Sequence, residues 1–145
     1  MTRNIALGIA SALVGAGLLV SACSGSSNSS STVVAPSGTT VTDTFTGTVQ
    51  PGGLDFHPFT VNTGGTINIT LLTAGPPPTI TMGLAVGTPS STGTCALLSN
   101  ASTVTPAGST AQLTGSLAAG TYCVEVLDVG NAAGPITYSV TVAHT

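Results

Sequence analysis

The sequence predicts an all-β domain, an antiparallel two-sheet β-sandwich, and three observations carry that prediction. From Val41 onward, apolar residues recur at every second position, the period of a strand with one buried face. Clusters rich in Gly, Pro and Asn separate these runs at short intervals. No stretch after Val41 carries an apolar stripe at the helical period of about 3.6 residues. The 145 residues are 41% hydrophobic and 3% charged, the reverse of a disordered composition and enough for one domain. The single basic residue is Arg3, so the chain has almost nothing with which to neutralise phosphates, and nucleic acid is excluded as a partner.

The first segment reads as an address. One positive charge lies within Met1–Asn4, an uncharged and mostly apolar run follows over Ile5–Val20, and small residues precede Cys23, which is the grammar of a secretory signal over residues 1–22. The run is shorter than the roughly 20 apolar residues that span a bilayer, and no basic stop-transfer cluster follows. Val20-Ser21-Ala22-Cys23 resembles the lipobox of bacterial lipoproteins, which implies that Cys23 is lipidated and becomes the first residue of the mature chain. Cysteine parity agrees: of three Cys in an exported chain, two can bridge and lipidation accounts for the third. Two or more acyl chains, at ~0.8 kcal/mol per buried methylene, make a stable anchor. The expected location is therefore the bacterial cell envelope, with membrane contact through the lipid. Residue 24 is Ser and not Asp, which by the same resemblance favours the outer membrane where the envelope has two.

Residues 23–40 read as the lipidated Cys and a Ser/Gly-rich linker with almost nothing to bury. Its seventeen residues from Ser24 to Thr40 have a coil reach of roughly 20–25 Å.

The sandwich occupies residues 41–145. In Thr66–Leu71 the residues Ile67, Ile69 and Leu71 alternate with Thr66, Asn68 and Thr70. Over Thr79–Val86 the inward set is Ile80, Met82, Leu84 and Val86. Tyr122, Val124 and Val126 alternate with Cys123 and Glu125, and Ile136–Val142 alternates again; each of these is expected to be a half-buried strand. Turn formers lie between them at Pro51–Gly53, Gly64-Gly65, Gly75–Pro78, Pro106–Gly108, Ala119-Gly120 and Gly130–Pro135. Seven or eight short strands in about 105 residues suit either jelly-roll or immunoglobulin-like connections.

Several segments together resemble the bacterial pre-peptidase C-terminal domain. They are Asp55-Phe56-His57-Pro58-Phe59-Thr60-Val61, Gly64-Gly65-Thr66-Ile67-Asn68-Ile69, Leu117–Val126 and Tyr138-Ser139-Val140-Thr141-Val142, in the family's order. The resemblance implies a non-catalytic β-sandwich with an accessory or binding role. No peptidase precedes the domain in this chain, so the resemblance carries the fold and not service to a neighbouring enzyme. Some members bind calcium, but Thr81–Val86 offers no carboxylate where the family has one. Calcium takes about six to eight oxygen ligands, and only Asp43, Asp55, Glu125 and Asp128 could supply charge, so no cofactor is expected.

Cys95 and Cys123 are 28 positions apart, and in an exported chain they are expected to form a disulfide on the outer side of the sandwich. Neither a CxxC pair for a metal nor a cation to activate a thiol is present. Asp55 and His57 share a strand face, which would suit a hydrolase if a Ser nucleophile joined them. His57 is also in line with Phe59 and Val61, the setting of a packed rim histidine, and His144 lies where the terminus is expected to fray. No recognisable catalytic motif occurs, so no catalysis is expected. Of the five aromatics in the domain, Phe56 is the one expected to face outward. The function expected is a tethered interaction or accessory module that docks an envelope protein or extracellular polymer. A small-ligand or glycan binder and a structural or adhesive surface protein are the alternatives.

The anchor is checked by replacing Cys23 with Ala and following detergent phase partitioning. The variant should leave the membrane fraction, and a processed variant that stays there would refute lipidation.

Overall fold

A computed structural model describes residues 38–145; the signal segment 1–22, Cys23 and the linker as far as residue 37 lie outside the described residues. Eight strands follow one another: β1 Val41–Val49, β2 Leu54–Val61, β3 Gly65–Gly75, β4 Thr81–Pro89, β5 Cys95–Pro106, β6 Leu113–Leu117, β7 Gly120–Asp128 and β8 Ile136–His144. They form two four-stranded antiparallel sheets, ordered β1-β8-β3-β6 and β2-β7-β4-β5, here called sheets one and two.

The pairing is nested. β1 pairs with β8, β2 with β7, β3 with β6 and β4 with β5, so the chain resembles one long hairpin rolled into two layers. Every connection except β4–β5 passes from one sheet to the other. This is the jelly-roll order; an immunoglobulin-like sandwich would place its first two strands side by side. The β3–β8 and β4–β7 pairings then join the nested pairs into sheets.

Apolar residues at alternate positions of both sheets meet in one core. Ile67, Ile69 and Leu71 come from β3 and Val140 and Val142 from β8, facing Met82, Leu84 and Val86 of β4 and Val124 and Val126 of β7. Fully burying such a side chain contributes roughly 1.5–3 kcal/mol, which is what orders strands that have little else to hold them. Ile80 belongs to this core although β4 begins one residue later.

The expectation of half-buried strands holds for β3 and β8 and fails for β4 and β7. Ala85 and Cys123 are fully buried on the outer face, as is nearly all of Glu125. Both strands are central in sheet two, and side chains from neighbouring strands lie over their small residues.

The structure contains three strands that the sequence did not single out, β1, β5 and β6. β5 reads as a polar loop, with Ser99, Asn100 and Ser102 in its middle, yet it runs for 12 residues along β4. Its pairing shifts between Ala85 and Gly87, and Asn100 takes a left-handed φ of 59°, which Asn tolerates. β6 is only 5 residues long, and beyond its end Gln112 continues its work. The Gln112 side-chain oxygen accepts from Leu71 N at 2.8 Å, its Nε2 donates to Leu71 O at 3.3 Å and its backbone N donates to Ile69 O at 3.0 Å. These bonds satisfy the edge of β3 that β6 no longer covers, on the side away from β8, next to a register shift that turns Leu72 out to solvent.

Cys95 and Cys123 are joined by a disulfide, with Cα atoms 6.0 Å apart. The bridge lies on the outer face of sheet two, opposite the core-facing Val124, but is itself buried. Cys95 opens β5 and reaches β7 over Gly87 of the intervening β4. A Cβ at Gly87 would collide with the Ala96 carbonyl and approach Cys95 Sγ, so the crossing requires glycine. Closing 28 residues of chain stabilises the fold by roughly 3–4 kcal/mol through the unfolded state. The paired substitution Cys95→Ser with Cys123→Ser should cost about that much in denaturant unfolding. An unchanged midpoint would remove the bridge's stabilising role.

Candidate functional site

The carboxyl and imidazole side chains of the described domain fall into four places. On β2, Asp55 and His57 do share a face, and the structure adds Tyr138 from β8 to them. Tyr138 Oη donates to Asp55 Oδ2 at 2.8 Å and lies 2.8 Å from His57 Nε2. Because the tyrosine proton is given to Asp55, its oxygen accepts from the Nε2–H of His57. His57 Nε2 is 3.8 Å from Asp55 Oδ2. The Phe45 ring of β1 stacks on His57 with centroids 4.8 Å apart and planes 6° from parallel. A Cβ at Gly47 would collide with both the Asp55 carboxylate and the Tyr138 hydroxyl, so this glycine makes room for the cluster. Burial first, then the Asp55 hydrogen bond and charge, hold the Tyr138 hydroxyl well above the ordinary tyrosine range, so it stays a donor.

This arrangement joins sheet two to sheet one along the β1–β2 seam. His57 spends Nε2 on a tyrosine and, among the described residues, bonds no serine, threonine or cysteine. Chemically the cluster is a polar clasp between two layers, the rim histidine expected from the sequence, with a tyrosine partner that no spacing could reveal.

The second place corrects an expectation. His144 does not fray: it is 2% exposed at the end of β8, its Nε2 lies 3.0 Å from Asp43 Oδ2, and its ring packs against Phe59 with centroids 5.6 Å apart. Its Nδ1 is buried and, among the described residues, has no hydrogen-bond partner.

The third place is Asp128. Its Oδ1 accepts from the backbone N–H groups of Gly130, Asn131 and Ala132, each at 3.1 Å, and Oδ2 accepts from Gly52 N at 2.7 Å. These bonds, the one from Gly52 foremost, hold its carboxyl below the ordinary value, and they tie the β7–β8 loop to the β1–β2 turn. Asn131 extends the tie by donating to Thr81 at the start of β4. The sequence does display the short Asp-x-Gly-Asn segment, but not that Gly52 comes to meet it.

The fourth place is Glu125, alone on the outer face of sheet two. The register lays that face out in rows that cross all four strands. Leu54, Leu127, Gly83 and Val104 form one row. Phe56, Glu125, Ala85 and Ser102 form the next, and Pro58, Cys123, Gly87 and Leu97 the third. Only Glu125 and Ser102 are polar. Leu54, Leu97 and Val104 are 56%, 49% and 62% exposed, and Val129 beside them is also exposed. Over Gly83 and Ala85 the face sinks into an open groove of about 340 Å³, walled by Leu127, Val129, Val104 and Leu97. Glu125 is 6% exposed and, among the described residues, makes no side-chain hydrogen bond. Burial pushes its carboxyl up from the ordinary glutamate value.

The outer face of sheet one is the opposite. Thr42, Thr44, Thr46 and Thr48 of β1 lie beside Ala143, Thr141, Ser139 and Thr137 of β8. Beyond β8 the same rows continue into Asn68, Thr70 and Thr73 of β3. It has hydroxyls and amides and no charge. A smaller hollow of about 230 Å³ opens between β5 and β6, lined by Leu98, Leu113 and Leu117 over Ile67 and Val86. Among the described residues no group of three or more His, Cys, Asp or Glu is placed to hold a metal ion.

No family model matches this chain, and no curated protein matches it.

The two shifted carboxyls predict opposite pH dependences. Asp128 has a lowered folded pKa, so it stabilises the fold above the ordinary carboxylate value and loses that effect as pH falls through the folded value. Asp128→Asn should therefore melt below wild type at pH 7, with a gap that narrows below about pH 4. Glu125 has a raised folded pKa, so its favourable contribution is complete below the unfolded value and lost as pH rises through the folded one. Glu125→Gln should melt above wild type at pH 7 and level with it below about pH 4. Thermal melts of both variants across pH check the pair; parallel curves would refute it.

Proposed function

We propose that this chain is a lipid-anchored, non-catalytic module of the bacterial cell envelope that docks a partner protein through the outer face of sheet two. The observation that carries this reading is the apolar row Leu54-Leu127-Gly83-Val104. Of the six exposed large hydrophobic residues in the domain, Leu54, Leu97, Val104 and Val129 gather on this one face. Contiguous exposed apolar surface of this kind marks interaction sites.

Other modes have less support. Strand addition to sheet two needs an open edge, but the β2 edge contains Pro58, which lacks a donor, and the β5 edge is interrupted at Asn100. Of the two hollows a small ligand could use, the one between β5 and β6 is below the roughly 300–1,000 Å³ of ordinary ligand pockets, and the groove over Gly83 and Ala85, about 340 Å³, lies at the bottom of that range and is open to solvent. A glycan platform wants several exposed rings, and Phe56 is the one aromatic on this face. The resemblance to the pre-peptidase C-terminal domain supports the accessory-module reading, as the lipobox supports the anchor. The polar outer face of sheet one favours a second reading, contact with a neutral extracellular polymer.

Photo-crosslinking side chains placed at Val104 and at Thr44 in cells decide between the faces. The reading expects a discrete protein adduct from position 104 and none from position 44. Adducts from position 44 alone would favour the second reading, and adducts from neither would remove docking through a sheet face.

A further inference from the structure

Glu125 is hard to explain as part of the fold. The residue is 6% exposed, its carboxylate oxygens keep only a rim of solvent contact and, among the described residues, they accept no side-chain hydrogen bond, so the group is partly desolvated with nothing in the fold to compensate it. Its neighbours across the strands are Phe56 and Ala85, and along β7 the bridged Cys123 and Leu127. None offers a donor.

The chain also has no cation to give it. Its only Lys or Arg is Arg3, in the segment read as a signal, and the two histidines are occupied by Tyr138 and Asp43 elsewhere. A second copy of the domain would bring another uncompensated Glu125 and no cation, so symmetric pairing through this face sets like charges together. A lipid surface would set the carboxylate against acyl chains or headgroup phosphates, and a headgroup ammonium is a point charge that cannot both fork onto the carboxylate and stack on Phe56. Charge complementarity leaves a heterologous protein segment that supplies the missing cation.

We propose that the outer face of sheet two binds a partner segment presenting an arginine beside an apolar side chain, with the guanidinium between the Glu125 carboxylate and the Phe56 ring. The proposal rests on the docking face above and specifies its partner. Arginine fits better than lysine because Phe56 and Glu125 are direct cross-strand neighbours, about 5 Å apart at Cβ. A planar guanidinium can stack on the ring while its fork meets both carboxylate oxygens. The groove over Gly83 lies one row away, and two residues of strand advance about 7 Å. An extended partner with arginine at one position and leucine two residues on therefore places the cation at Glu125 and the leucine in the groove.

The test uses the full chain in nanodiscs and a dye-labelled peptide Gly-Ser-Arg-Thr-Leu-Ser-Gly, read by fluorescence anisotropy against empty nanodiscs. Binding should saturate, weaken with added salt, weaken several-fold with lysine in place of arginine, and vanish with glutamine there. Glu125→Gln should cost about tenfold or more in affinity. That variant's melting temperature shows whether it is folded, and Phe56→Leu provides a second probe that keeps the face apolar; it should weaken the arginine peptide more than the lysine one. Equal binding to Glu125→Gln and wild type overturns the proposal, as does equal binding of the arginine and glutamine peptides or binding of neither. Loss of binding with Val104→Asp but not with Glu125→Gln would sink the arginine while leaving the docking face standing. Concentration-dependent dimers abolished by Val104→Asp would make a second copy the occupant and overturn it too.

Discussion

The closure of the first strand on the last is the constraint on which the rest of the molecule depends. β8 is central in sheet one, paired with β1 on one side and β3 on the other, so that sheet cannot assemble until β8 arrives. The Asp43–His144 contact spans 101 positions of sequence and joins the first and last strands at one corner. Nested pairing makes almost every contact long-range, so loop-closure entropy has to be met before burial offsets it. What compensates is a core drawn from β1, β2, β3, β4, β7 and β8, with Leu98 and Ala101 of β5 and Leu113 and Leu117 of β6 packed against it. The disulfide acts at the other end of the nest, where the β4–β5 hairpin is tied to β7.

The parts of this fold that could be read in the sequence are those in which one strand reports its own environment. β3 and β8 show alternation because one face meets the core and the other meets water. β4 and β7 were legible as strands and misleading as half-buried ones, because what covers Ala85, Gly87 and Cys123 comes from other strands. β5 was hidden by Ser and Asn, which favour turns locally and are overruled by pairing with β4. Site residues divide the same way. The Cys95–Cys123 pairing followed from compartment and count, whereas the Asp55–Tyr138 hydrogen bond, the Gly52–Asp128 tie and the isolation of Glu125 depend on register. Register between distant strands leaves no mark on either strand alone.

The two outer faces divide the labour of a domain that has only four charged side chains, all acidic, among its described residues. Sheet one is covered by hydroxyl groups that keep it wet without attracting any ion. Sheet two exposes leucine and valine around one carboxylate. Three of the four acids are engaged by the fold itself, with His144, Tyr138 or backbone N–H groups. The fourth makes no bond within the described domain, so its charge is available to whatever covers it.

The antiparallel register of β1 on β8 has a mechanical consequence. The described chain enters β1 at its Val41 end, while the row from Leu54 to Val104 lies toward the opposite end, where β1 leaves for β2. A pull between that entry and a partner on the row runs along β1. The nine register pairs from Val41–His144 to Val49–Ile136 then lie across the force and share it, so they must slide together and cannot open one at a time. Geometry of this kind resists sudden tension, and a module held at one end and loaded at the other would behave as a shear-loaded link.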